Sequence, residues 1–193
     1  MLGMDLLRIV LFLGMVFHKL VWEVMKRREG VTYASRKSFE IRPKSALKLL
    51  KSLFLVFLIV QTLFLDFLPI SDQPNTLRIV GLIIFFTGLA ISVTGRIQLG
   101  NNWVDLEDFQ VLPEQKLVKS GIYRYIRHPI YTGDTLLVIG LELALNSWLV
   151  IGALCLIPII YKQALDEETV LSQAFPDYED YKKETKMFVP YLV

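Results

Sequence analysis

The chain is poor in the residues that staple or metallate small proteins: its 193 residues include one cysteine, Cys155, and two histidines. A single thiol excludes an internal disulfide framework and a zinc cluster built on cysteines. Within an apolar helix, Cys155 is expected to be a small packing residue. Net charge is nearly absent too, at +2, which removes any global electrostatic case for nucleic acid. There is no alternating strand pattern and no GxGxxG following a strand, so a soluble Rossmann-type enzyme is excluded. Internal repeats and low-complexity tracts are also missing.

What is present is hydrophobicity arranged in blocks. Apolar residues make up 53% of the chain and mean hydropathy is +0.46. Long uncharged apolar runs alternate with compact clusters of charge, which is how a bilayer sorts a sequence. The length is that of one domain. The first apolar run spans about Leu6 to Met25, with Arg8 and Lys19 near enough to its ends to snorkel toward headgroups. His18 within it is expected to be a packed or interfacial residue. No small-residue cleavage site follows. Lys26-Arg27-Arg28 comes instead, the usual cytoplasmic flank of a retained span.

The second run covers about Leu53 to Ile70 and the third about Leu77 to Thr94, joined by a polar turn at 71–75 that implies an antiparallel hairpin. The last block, about Thr135 to Tyr161, is too long for one ordinary span of roughly 20 residues. Asn146-Ser147 divides it into two short helices forming a hairpin, the second kinked at Pro158. Residues 26–51 carry nine Lys or Arg against Glu29 and Glu40, whereas the 71–75 turn carries none. The positive-inside bias therefore places the basic loop, and with it the segments 96–128 and 162–193, on the cytoplasmic side. The expected fold is an all-α, multi-pass integral membrane protein of about five transmembrane segments. Residues 1–95 supply three spans and 96–193 the functional part of a single domain.

Chemistry concentrates in two places. Lys116 to Gly133, KLVKSGIYRYIRHPIYTG, is polar, glycine-punctuated and aromatic. Its tyrosines offer flat faces with polar tips; Arg127 is a fixed cation with a planar donor fork, and His128 can exchange a proton near neutrality. The second place is Asp166-Glu167-Glu168, where adjacent carboxylates repel unless a cation sits nearby; Arg127 and a positively charged ligand are the candidates. Interfacial anchoring accounts for Tyr125 and Lys119, and solvation for Asp166.

These residues resemble the isoprenylcysteine carboxyl methyltransferase family and its phospholipid methyltransferase relatives. The resemblance lies in Leu117-Val118, Gly121-Ile122-Tyr123, Arg127-His128-Pro129 with Tyr131 and Gly133, then Glu167-Glu168 and Phe175-Pro176-Asp177-Tyr178 through Tyr181. Leu99 to Trp103 is similar as well, so the match runs from Gln98 to Val193. It implies an S-adenosylmethionine-dependent enzyme releasing S-adenosylhomocysteine. The cofactor would sit in a cytoplasmic pocket formed by 96–133 and the C-terminal tail. By the same resemblance, Gln115, Lys116, Leu117 and Val118 hold the cofactor largely through backbone. Gly121, Tyr123, His128, Pro129, Ile130, Tyr131 and Glu167 complete its site. Arg127 and Glu168 are the catalytic pair.

A lipid or prenylated substrate would enter from the bilayer, with no metal and no nucleic acid involved. Two positions depart from the family pattern. Gln115 stands where histidine is common, and Gln163 stands where an arginine is expected to hold a substrate carboxylate. An amide hydrogen-bonds a carboxylate without neutralising it. The leading expectation is carboxyl O-methylation of an isoprenylated cysteine or similar lipidic acid. The alternatives are N-methylation of a phosphatidylethanolamine-type phospholipid and a non-catalytic lipid-binding protein. A sterol-reductase-like enzyme shares the C-terminal motif, but the chain is short for one.

Overall fold

The structure, a computed structural model, describes residues 3–28, 44–103 and 115–190. Most of the basic loop expected on the cytoplasmic side, and residues 104–114 of the expected pocket segment, lie outside the described residues. Among the described residues every regular element is a helix. These are α1 (Met4–Arg28), α2 (Lys44–Phe64), α3 (Asn75–Leu99), α4 (Pro129–Ala144), α5 (Val150–Cys155), α6 (Ile157–Ala174) and α7 (Tyr178–Glu184). Two short 3-10 turns, Gly100–Asn102 and Gly121–Arg124, follow α3 and precede α4.

The centre of the bundle is the contact between α3 and α4. Gly81 and Gly88 on α3 share a face, as do Gly133 and Gly140 on α4, and their faces meet. A Cβ on Gly88 would lie 2.4 Å from the Leu137 nitrogen, and one on Gly140 would lie 2.2 Å from the Phe85 nitrogen. Small residues at such spacing let two backbones touch, and in an apolar medium that van der Waals contact is the main source of helix association. Around this pair, Leu7, Leu11 and Met15 of α1 bury against Phe85 and Leu89 of α3.

The second helix is held differently. It packs chiefly on α1, not on α3 as the expected hairpin required. Polar links join it to the rest: Gln61 Nε2 donates to Glu142 Oε2 at 2.7 Å, and Arg8 donates to the Leu63 carbonyl and to Asp66, both within 2.9 Å. Arg8 is therefore buried and paired rather than snorkelling, its guanidinium reaching the Leu63 carbonyl and the exposed Asp66 carboxylate at the end of α2. The helix also ends earlier than expected, at Phe64 rather than near Ile70. Leu68 has a positive φ of 47° and precedes Pro69, which disfavours helix before it and has no N–H to continue it. The main chain of this segment bonds instead to the turn after α4, with Trp148 N–H on the Leu68 carbonyl and Ile70 N–H on the Asn146 carbonyl.

Asn146 takes φ 61°, a conformation asparagine tolerates, and so divides the last apolar block where the sequence places the break. A second interruption at Leu156, just before Pro158 at the start of α6, stands where a kink was expected. Cys155 is exposed, which corrects the packing role: it lies on the outer face of short α5.

Large apolar side chains dominate the outward faces, among them Leu53, Ile79, Ile83 and Ile159, each more than half exposed. Apolar surface of this extent is unusual on a soluble monomer and complements hydrocarbon. One described helical stretch, Asn75–Asn102, is long and apolar enough by itself to cross a bilayer; Ser52–Phe64 is a shorter apolar helix.

Replacing Gly88 or Gly140 by alanine should lower thermal stability in detergent, at least at the upper end of the roughly 1–3 kcal/mol typical of overpacking. Gly152, with nothing near its Cβ position, is the matched control. Unaltered melting of both inner variants would rule out the close α3–α4 contact.

Candidate functional site

One end of the bundle, where α1 and α3 finish and α4 begins, holds a cavity of about 200 Å³. Residues 115–118, ahead of the second 3-10 turn, form one side of its lining. Asn102 anchors this run: its side-chain oxygen accepts from the Lys116 N–H at 2.6 Å, and its carbonyl accepts from the Gln115 amide at 3.0 Å. Gly121 then turns the chain with φ 62°, and a side chain there would strike Gln98, whose amide oxygen accepts from the Ile122 N–H at 2.7 Å. Glycine is required at 121 on both counts.

A clasp between the 125–128 segment and the chain after α7 forms the next wall. Arg127 N–H donates to the Lys186 carbonyl and His128 N–H to the Met187 carbonyl, while Lys186 N–H donates to the Tyr125 carbonyl. The Arg127 guanidinium completes the clasp: Nε donates to Glu168 Oε1 at 2.6 Å and Nη1 to the Thr185 carbonyl at 2.6 Å. His128 Nε2 lies 3.2 Å from the same Glu168 oxygen. Both members of the Arg127–Glu168 pair are more than nine-tenths buried at their side chains. Burial alone would raise the Glu168 carboxyl pKa, but hydrogen bonds from His128 and Arg127 and the Arg127 charge outweigh it and hold it below the ordinary value.

The neighbouring Glu167 faces the other way. It is partly exposed, lines the cavity, and accepts from the Tyr131 hydroxyl at 2.7 Å. Burial, then the Glu167 charge, pushes the Tyr131 hydroxyl well above its usual range, so it remains a neutral donor. Tyr123 is shifted upward for the same two reasons; its hydroxyl donates to the Gly95 carbonyl at 3.3 Å, and its own carbonyl accepts from Tyr181 at 2.6 Å.

The cavity thus gathers most of the residues singled out from the sequence. Gln115, Lys116, Leu117, Val118, Tyr123, Arg127, His128, Pro129, Ile130, Tyr131 and Glu167 all line it. Three do not. Gly121 shapes the turn beneath it, Glu168 is buried behind it as the partner of Arg127, and the half-buried Gln163 lies one turn of α6 before Glu167, off the lining. Tyr125 and Asp166 are exposed, and Lys119 pairs with Asp177.

The structure adds two walls the sequence did not single out, Trp22 from α1 and Asp134 on α4, and brings to the lining Trp103 after α3 and Tyr178 and Tyr181 of α7, which the resemblance covered. Trp103 is stacked under the Arg96 guanidinium, 4.6 Å from ring centroid to Cζ. The only signals for the α1 contribution are His18 and Trp22 one helical turn apart. Asp134 is signalled by being a carboxylate inside an apolar helix.

Comparison with known proteins agrees with this arrangement. A family model described as phospholipid methyltransferase matches residues 76–178, more than half of the chain. Protein-S-isoprenylcysteine O-methyltransferase of Tribolium castaneum is 26% identical over 129 residues, 65% of this chain and 46% of that protein. The cobalt-zinc-cadmium resistance protein CzcN of Cupriavidus metallidurans is 35% identical over 78 residues, 39% of this chain and 36% of that one. The chain therefore spans less than half the length of these relatives. A solved structure of the eukaryotic intramembrane Ras methyltransferase, isoprenylcysteine carboxyl methyltransferase, shares the fold. Its TM-score is 0.64 at 21% identity, covering 92% of this chain and 63% of that one.

Because its pKa is lowered by folding, Glu168 stabilises the protein above the ordinary carboxylate value of about 4.3, and this is lost as pH falls through the lowered folded value. Thermal melting in detergent should therefore weaken on acidification. Glu168→Gln should cost about 3–5 kcal/mol at pH 7 by leaving Arg127 buried without its carboxylate, and should flatten the acid limb. A variant as stable as the parent at pH 7 would contradict the strut.

Proposed function

The chain belongs to the phospholipid methyltransferase family, and from that premise we propose that it transfers a methyl group from S-adenosylmethionine to a lipid-like acceptor at the membrane. The observation that carries this reading is the convergence on one cavity of a partly exposed carboxylate, Glu167, aromatic faces, and the segment 115–118. That set suits a ligand that is both cationic and heterocyclic. Gln115 to Val118 would hold its polar edges through backbone, Tyr123 and His128 to Tyr131 its flat part, and Glu167 its positive charge. S-adenosylmethionine supplies a methyl on a sulfonium: the acceptor's bond to carbon forms as the C–S bond breaks, and that electron pair stays on sulfur.

The protein's contribution is alignment and exclusion of water. Arg127 and Glu168, proposed as catalytic from the sequence, act in this reading by holding the wall that carries His128. Arg127 Nε is engaged with Glu168 and Nη1 with the Thr185 carbonyl of the tail. The chain would fold as one multi-pass unit, with 1–95 as spans and 96–193 as the donor-binding part. The cavity opens at the end of the bundle bearing Lys26-Arg27-Arg28, the end that the positive-inside bias assigns to the cytoplasm. Lipid would reach it between the helices.

Two acceptors are in view. The names of the isoprenylcysteine O-methyltransferase relatives support a carboxyl group, on an isoprenylated cysteine or a similar lipidic acid. An amine-headed phospholipid is favoured by Gln163, which replaces the expected carboxylate-holding arginine and lies off the cavity lining.

Calorimetry on the chain in nanodiscs should detect S-adenosylmethionine binding, weakened about tenfold by Glu167→Gln, equivalent to about 1.4 kcal/mol, and little changed by Asp166→Asn. Labelled donor should then leave its methyl in the lipid fraction. No donor binding by the parent chain would sink the reading.

A further inference from the structure

One turn along α4 from Tyr131, three helices bring three polar side chains together beside the cavity. Gly133 lets α4 lie directly against Ser92 of α3, where a Cβ would be 2.4 Å from the Ser92 nitrogen. The next residue is Asp134, which lines the cavity. The Ser92 hydroxyl donates to Asp134 Oδ1, and His18 Nε2 of α1 lies 3.0 Å from the same oxygen. His18 is itself fixed by stacking on Trp22, with ring centroids 4.0 Å apart, and Trp22 also lines the cavity. Both donors fall on Oδ1, which orients the carboxylate and leaves Oδ2 for a ligand. The Asp134 side chain is 44% exposed and lines the cavity, so it is open to a ligand there.

We propose that Asp134, held by His18 and Ser92, is the carboxylate that recognises the methyl acceptor and takes its proton, and that the acceptor is therefore an amine-headed lipid. This rests on the reading of the cavity as a methyl-transfer site and goes beyond it by choosing the acceptor. The cavity offers two carboxylates on its lining, Glu167 and Asp134, and the reaction with an amine brings two cations, the donor sulfonium and the acceptor ammonium. A lipidic acid would instead set a second negative charge against Asp134. Two of the three nitrogens of the Arg127 guanidinium on the lining, Nε and Nη1, are engaged by Glu168 and the Thr185 carbonyl.

The chemistry also differs. A carboxylate acceptor is already ionised and needs no base, whereas an ammonium has no lone pair until a proton leaves. Here the N–H bond breaks as an O–H bond forms on Asp134 Oδ2. Both partners become neutral, and the nitrogen lone pair is free to bond to the methyl carbon. Asp134 acts on the acceptor directly; His18 and Ser92 are positioning residues.

The test uses the full chain in nanodiscs, with donor binding followed by calorimetry. Lipid retention is followed by native mass spectrometry, with phosphatidylethanolamine and a farnesylcysteine analogue as probes. The parent should retain and methylate the ethanolamine lipid in preference to the acid. Asp134→Asn should still bind donor but lose retention of the ethanolamine lipid and about 100-fold or more of its turnover, in the upper range for loss of a general base. His18→Gln and Ser92→Ala should fall between, raising KM for the amine more than they lower kcat. Preference of the parent for the farnesylcysteine analogue overturns the proposal, as does an Asp134→Asn variant that keeps amine retention and turnover. Should Asp134→Asn not fold, the parent's choice between the two probes decides alone. Failure of the parent to bind donor is a different result and removes the underlying reading instead.

Discussion

Everything near the cavity depends on how closely α3 and α4 approach. Gly81, Gly88, Gly133 and Gly140 bring the two backbones into contact, and no side-chain layer separates them. The same approach aligns the cavity-side ends of both helices. It sets Ser92 against Asp134 and seats Pro129 and Ile130, the first residues of α4, beside Gly95. It also leaves the Gly95 carbonyl within reach of the Tyr123 hydroxyl. In a medium where lipid is as apolar as leucine, such contact supplies adhesion that hydrophobic burial cannot. The fold and the site are thus consequences of one packing choice.

A second constraint acts at the adjoining wall. The Arg127–Glu168 pair is buried, and a buried ion pair is weak support unless its other hydrogen bonds are met. Here they are met by the Thr185 carbonyl and by His128. The result ties three stretches distant in sequence, 125–128, α6 and the chain after α7, into one clasp. Adjacent acids on α6 thereby take different duties: Glu168 turns inward as a strut, and Glu167 faces the cavity with Tyr131 as its donor. A helix turns 100° per residue, which is why two neighbouring glutamates need not share an environment.

Much of this was legible before any coordinates. The apolar blocks, the break at Asn146-Ser147 and the interruption near Pro158 are local signals, and the helices obey them. The cavity residues from Gln115 to Tyr131 and Glu167 were legible because the polar run and acidic pair that hold them resemble a known family, which implied the individual positions. The errors are instructive in the same terms. The second helix ends at Phe64 because the chain after it bonds to a turn 75 residues away. Arg8 is paired rather than snorkelling because Asp66, 58 positions later, meets it. Neither partner is visible in a local window.

The sequence by itself determined the helical class, the apolar exterior and the list of groups able to do chemistry, because these follow from composition, periodicity and spacing along the chain. Only the tertiary structure decided which of those groups share a cavity and which brace it. Glu167 and Glu168 are chemically identical neighbours separated in role by the direction each faces. His18, Ser92 and Asp134 lie on three helices with no spacing that links them. Long-range packing sets such geometry, and the α3–α4 glycine contact is where that packing begins.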